Sequence, residues 1–248
     1  MDLDGVRTWY DERGRGEPLV LLHGGLTDSR VFGPNLAGLA DRSRVLMPER
    51  RGHGHTPDAA GPLSLDVLTG DTIAFLEKIA GGRSRLVGYS AGGIVALLVA
   101  LCRPDLVERL VLISASYHRE GWILPPSHEG ELPPEIVAMH GEVSPDGAEH
   151  LDVVRHKIAD SAAVEPTLTP ADLATVGCPA LVVAGDDDLV TLEHTLALYR
   201  ALPAGELAVV PGTSHVLLLE KPHLCTELIA GFLSGDAPPT MLPIRRAR

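Results

Sequence analysis

The sequence predicts an α/β fold, a doubly wound and mostly parallel sheet with helices on both faces and a short helical insertion. Three observations carry this reading. Short β-like runs alternate with helical patterns up to about residue 115 and again from about residue 178, the rhythm of βαβ units. Several of the runs are almost continuously apolar, as strands covered on both faces must be. Between Ser116 and about Asp172 the alternation stops, and Pro, Glu and His become frequent.

Strands are expected at Arg7–Glu12, Leu19–Leu22, Arg44–Met47, Arg85–Val87, Leu110–Ser114, Ala180–Ala184 and Glu206–Val210. Helices are expected between them at Val31–Ala40, Ser64–Ile79, Ala91–Cys102, Leu192–Ala201 and Pro222–Leu233. Ser64 suits an N-cap, and Pro104 closes the third helix. The core therefore comprises residues 1–115 and 173–234, with 116–172 inserted as a cap and 235–248 left as a tail. Ile136, Val137, Met139, Leu151, Val153, Val154 and Ile158 give the insertion apolar faces of its own, which favours an ordered lid over a disordered loop. One of its short helices is expected to open at Ser144, with Pro145 in the first turn. The tail carries Pro238, Pro239 and Pro243 with Arg245, Arg246 and Arg248, and reads as a surface strap or frayed end.

Composition narrows the function. The 248 residues are 45% hydrophobic, enough for a substantial single core. A net charge of -12, from 33 acidic and 21 basic side chains, repels phosphate backbones and anionic lipid, so a small molecule is the expected partner rather than nucleic acid or a membrane. The start of the chain has no apolar stretch of signal-peptide type, and the longest apolar run, Ile94–Cys102, is too short to span a bilayer; a cytoplasmic protein is expected. Cys102, Cys178 and Cys225 all sit in apolar surroundings and are expected to be free, buried thiols. Nothing in the sequence bears on oligomeric state.

Gly88-Tyr89-Ser90-Ala91-Gly92 stands where the apolar run Arg85–Val87 meets a small-residue helix. A serine on so tight a turn needs small neighbours, because its backbone is strained and the helix passes close to the strand; the turn then holds the hydroxyl clear of the sheet. A hydroxyl is a poor nucleophile near neutrality, so a base must take its proton and a carboxylate must orient the base. Ala180–Ala184 run into Gly185-Asp186-Asp187-Asp188, which sets acids beyond the carboxyl end of a strand, where open α/β sheets bind ligands. Gly212-Thr213-Ser214-His215 presents a histidine at the same edge. The order is serine, acid, histidine.

Those segments, with Leu21-Leu22-His23-Gly24-Gly25, Arg51-Gly52-His53-Gly54 and Leu219-Glu220-Lys221-Pro222, resemble the α/β-hydrolase family over almost the whole chain, the insertion matching by position alone. The resemblance implies Ser90 as nucleophile, His215 as general base and then acid, and Asp188 as orienting carboxylate, with Asp186 and Asp187 as rivals. It also implies the backbone N–H groups of Ala91 and Gly25 as oxyanion donors, with Leu26 as the alternative to Gly25, and a loop-shaping part for His23. No cofactor and no metal is called for: His53 and His55 read as turn residues, since no second ligand pair follows at metal spacing. His118, His128, His140, His150 and His156 are expected to be mostly exposed polar residues of the cap.

The expected activity is hydrolysis of a small, largely apolar carboxylic ester, thioester or lactone, the pocket being drawn from Leu26, Tyr89, Trp122, Met139 and Val216. A cofactor-free perhydrolase or acyltransferase would use the same residues, and a non-turnover ligand sensor is the alternative outside enzymes. Serine rather than aspartate at position 90 disfavours the dehalogenase and epoxide hydrolase branches of the resembling family, and Tyr89 weakens the carbon-carbon hydrolase option.

Overall fold

The computed structural model describes residues 1–3, 5–235 and 240–242. The expected first strand is split. β1 (Asp2–Leu3) and β2 (Val6–Arg7) pair with each other, and β3 (Tyr10–Arg13) joins the main sheet. The break falls at Thr8, whose N–H donates back to the carbonyls of Met1 and Val6 and so is lost to a continuing ladder.

The main sheet continues with β4 (Pro18–Leu22), β5 (Arg44–Pro48), β6 (Ser84–Tyr89), β7 (Val107–Ile113), β8 (Ala180–Asp187) and β9 (Gly205–Ser214). Its spatial order is β3-β5-β4-β6-β7-β8-β9, parallel throughout except for the β3–β5 pair. Side chains alternate across it. Leu19, Leu21, Val87, Val111 and Ile113 pack one face with Phe32, Ile229 and Phe232. Val20, Leu22, Leu86, Leu110 and Leu112 pack the other with Phe75, Leu97 and Val99. Burial on both faces explains why these strands read as unbroken apolar runs.

The helices of the core are α1 (Gly33–Ala40), α2 (Leu65–Phe75), α3 (Ala91–Cys102), α7 (Leu192–Ala201) and α9 (Pro222–Leu233), with the short α8 (Leu217–Glu220) between β9 and α9. Ser64 caps α2 as expected, its Oγ accepting from the Val67 N–H at 3.4 Å. Cys178 and Cys225 are buried, whereas Cys102 is exposed at the end of α3 and corrects the expectation for it.

Between β7 and β8 lie α4 (Pro134–Gly141), α5 (Leu151–Val164) and α6 (Pro170–Leu173). No helix opens at Ser144. The segment there is a turn in which Ser144 Oγ accepts from the Asp146 N–H, and Gly147, at φ 85, takes a left-handed conformation that blocks helix until Ala148. Ion pairs fasten this segment to the core loops. Asp58 accepts from Lys157 Nζ at 2.6 Å and from His150 Nε2 at 2.9 Å, while Arg30 bridges Asp28, Glu142 and the Met139 carbonyl. His140 is buried here, unlike the exposed residue expected. Most of the expected C-terminal tail, including Pro238, Pro239 and Pro243, lies outside the described residues, of which Met241 and Leu242 are exposed. Among the described residues no helix is long and apolar enough to cross a membrane.

Candidate active site

β6 passes into α3 through a single residue. Ser90 adopts φ 53 and ψ -121, a conformation that side chains rarely occupy, and its N–H is anchored on the Ile113 carbonyl at 2.8 Å. The turn exists because its neighbours lack side chains: a Cβ on Gly88 would lie 2.4 Å from the Gly92 carbonyl oxygen, and one on Gly92 would lie 2.1 Å from that of Leu22. The helix therefore starts against the strand ends, with the Ser90 hydroxyl at its N-terminus.

The two residues expected to serve that hydroxyl converge on it from loops after β8 and β9. Ser90 Oγ lies 3.0 Å from His215 Nε2, and His215 Nδ1 lies 2.6 Å from Asp188 Oδ1. Asp188 is the acid that reaches the imidazole. Asp186 instead accepts from the Thr213 N–H at 3.0 Å, and Asp187 is exposed. A register shift in the β8–β9 pairing between Gly185 and Asp187 is what re-aims the chain, and the sequence shows no sign of it. Burial pushes the Asp188 carboxyl up, but hydrogen bonds from His215 and Ser114 outweigh it and hold the group below the usual carboxylate range. Ser114 Oγ and the Gly185 N–H both donate to Oδ2, at 2.5 and 3.2 Å. Ser114 is a partner that sequence reading missed; its φ of 50 at the end of β7 is the local feature that turns it inward.

The loop after β4 is held as tightly. The Arg50 N–H donates to His23 Nε2 at 3.1 Å, so the imidazole proton sits on Nδ1, which donates to the Gly24 carbonyl at 2.8 Å. Arg50 Nη2 and Thr27 Oγ1 donate to the same carbonyl at 2.7 and 3.1 Å. The Leu26 N–H donates to His53 Nε2 at 3.3 Å, and His53 Nδ1 donates to the Arg51 carbonyl at 3.0 Å. Burial holds His23 well below the usual imidazole range and His53 down at about 3, so both stay neutral. Glu49, completely buried, accepts from Ser29 and His55 and braces the following turn. Among the described residues no group of three or more His, Cys, Asp or Glu side chains stands close enough to hold a metal ion.

Ser90, Ala91, His215 and Gly25 open onto a cavity of about 280 Å³. Its walls come from Leu26, Trp122 and Ile94, from Leu63, Leu65 and Leu68 around α2, and from the inserted segment through Leu124, Pro126, Ile158, Ser161 and Glu165. Of the expected pocket residues, Leu26 and Trp122 line it. Tyr89, Met139 and Val216 do not. Tyr89 is buried below the loop, its ring 5.4 Å from that of His215; Met139 meets Arg30 through its backbone carbonyl; Val216 is exposed. The leucines of α2 and Glu165 went unforeseen, because only the tertiary fold brings residues 63–68 and 161–166 to one wall.

A model of the alpha/beta hydrolase family matches residues 19–228. The chain belongs to that family. It is 26% identical to an (E)-2-((N-methylformamido)methylene)succinate hydrolase of Acinetobacter baylyi, the match covering 90% of this chain and 93% of that one. Among solved structures it is similar to an N-acyl homoserine lactone degrading enzyme, at TM-score 0.75 and 26% identity over 94% of this chain and 99% of the other. An enol-lactonase from Burkholderia xenovorans shares the fold at TM-score 0.77 and 23% identity, covering 94% of this chain and 98% of that chain. Family and relatives make this protein a hydrolase.

Proposed function

We propose that the enzyme hydrolyses a small, largely apolar carboxylic ester or lactone through an acyl-enzyme on Ser90. The observation that carries this reading is the unbroken hydrogen-bonded chain from Ser90 Oγ through His215 to Asp188. With Nδ1–H donating to the buried Asp188 carboxylate, Nε2 is free to accept the serine proton as Oγ bonds to the substrate carbonyl carbon. The imidazolium then gives that proton to the leaving alkoxide oxygen; water adds to the acyl carbon as His215 takes one of its protons, and the imidazolium returns that proton to Ser90 Oγ as the Oγ–acyl bond breaks and the carboxylic acid departs.

Charge on the carbonyl oxygen meets the N–H groups of Ala91 and Gly25. Two features favour Gly25 over Leu26. The Leu26 N–H is already used by His53. In a trans peptide the C=O and the following N–H point opposite ways, so three donors fixing the Gly24 carbonyl on one side turn the Gly25 N–H to the other, where Gly25 lines the cavity. Residues 116–172 serve as the cap that closes the acyl pocket, and no cofactor takes part. The lactone-degrading relative suits this reading better than the substituted-succinate hydrolase does, since no Lys or Arg lines the cavity to meet carboxylates.

The test is turnover of p-nitrophenyl esters and an acyl lactone panel by wild type and Ser90→Ala. Losing the nucleophile should lower kcat by about 10⁴- to 10⁶-fold. Near-normal turnover by the variant would remove Ser90 from the reaction, and a stoichiometric burst without cycling in the wild type would favour a ligand sensor.

A further inference from the structure

Among the described residues, the cavity has one ionisable side chain in its wall apart from His215, and it is an acid. Glu165 follows α5 and lines the pocket with Leu65, Ser161, Ala162 and Pro166. Its Oε1 is fixed by two donors, the Ser161 hydroxyl at 2.5 Å and the backbone N–H of Leu65, the first residue of α2, at 2.8 Å. The two bonds tie the inserted segment to the core and hold the side chain in one orientation, half-buried among apolar neighbours. Among the described residues no Lys or Arg lines the cavity to neutralise it.

We propose that Glu165 is the specificity-determining residue of the acyl pocket: it admits ester or lactone substrates whose acyl chain is uncharged or carries a hydrogen-bond donor such as an amide N–H, and rejects those bearing a carboxylate. This rests on the reading of Ser90 as nucleophile and of the cavity as its acyl pocket. The physical basis is the direct interaction of fixed charges in a space that excludes much of the solvent. A substrate carboxylate placed in the same small cavity meets an anion with no counter-charge, which weakens its binding by about one to two orders of magnitude at the effective dielectric of a partly buried site. An N–H donor meets the opposite situation, because a carboxylate oxygen accepts a charge-assisted bond. The discrimination acts on binding, so it appears in KM more than in kcat.

Three p-nitrophenyl esters separate the possibilities: the pentanoate, the 4-acetamidobutyrate and the hemiglutarate, assayed at pH 7.5 with wild type, Glu165→Gln and Ser90→Ala. The wild type should prefer the pentanoate and the acetamido ester to the hemiglutarate by at least about 30-fold in kcat/KM. Glu165→Gln keeps an acceptor oxygen for Ser161 and Leu65 but removes the charge; it should shift the preference between hemiglutarate and pentanoate about tenfold toward the hemiglutarate, through KM. A wild type that turns over the hemiglutarate as well as the pentanoate overturns the proposal without any variant. So does a Glu165→Gln enzyme with an unchanged preference. Activity on all three esters retained by Ser90→Ala is a different result, and would sink the acyl-enzyme reading itself.

Discussion

Arg50 holds the Gly24–Gly25 loop, the proposed source of an oxyanion donor, at a cost to the fold, so its replacement should move activity and stability in opposite directions. The guanidinium is buried at 5% exposure beneath Gly24, and neither Nε nor Nη1 has a hydrogen-bond partner. Burial pushes the group down from its ordinary value to about 9. At about 1.36 kcal/mol per pH unit, the cation costs the native state about 4 to 5 kcal/mol. The sign follows from linkage: below pH 9 the side chain is charged in both states, so the whole cost is present at neutrality, and it lifts only as pH rises between the folded and unfolded values. Against it stands the bond from Nη2 to the Gly24 carbonyl, a charge-assisted contact worth about 1.5 to 3 kcal/mol. Arg50→Met fills similar space without charge and should therefore stabilise the fold by about 1 to 3 kcal/mol, which at about 2 to 4 °C per kcal/mol raises Tm by about 5 °C. The same change frees the Gly24–Gly25 peptide on one side. Loss of a whole oxyanion donor costs about 10²- to 10³-fold, and His23 with Thr27 still holds the carbonyl, so kcat should fall about tenfold with KM little altered. Thermal melts and steady-state ester kinetics on the same preparations read both numbers. An unchanged kcat would refute the claim that Arg50 positions the Gly25 N–H, and a lower Tm would refute the claim that the buried charge is costly.

Acidification tests the neutral histidines under that loop. His53 stays unprotonated down to about 3, whereas the unfolded chain takes a proton near 6.5, so stability present above pH 6.5 is lost as pH falls toward 3. From pH 7 to pH 5 the loss from His53 is about 2 kcal/mol, or about 4 to 8 °C in Tm, with His23 adding in the same direction; a flat Tm over that interval would contradict the burial-driven shift. Gly92→Ala should abolish soluble expression or cost about 3 kcal/mol or more, since its methyl would lie 2.1 Å from the Leu22 carbonyl oxygen and backbone must move. A normal melt for that variant would show that the elbow tolerates a side chain.

Legibility in the sequence followed the range of the interactions involved. The turn at Ser90 depends on neighbours within five residues, and the central strands β4 to β8 depend on burial that writes apolar runs directly into the chain, so Ser90, β6 and α3 could be placed by reading alone. Selection of Asp188 among three adjacent acids depended on a shift in β8–β9 register, which leaves no mark in composition. The insertion was the least readable part, because its short helices gain their positions from distant partners: Lys157 from Asp58, Glu165 from Leu65, Arg30 from Glu142. Ser144 and Pro145 have the residue types of a helix start, yet the left-handed Gly147 decides otherwise. Met139 and Val216 had pocket-like chemistry but lie outside the cavity wall.

Lys157, Ile158 and Ser161 lie within two turns of α5, so the ion pair to Asp58 and part of the cavity wall travel on one rod. Ser90, His215 and Asp188 travel on none of it; they hang from strand ends. Exchanges along a single helix can thus reshape the cavity wall while those three side chains stay untouched, a division of labour by which one hydrolase is refitted to new cargo.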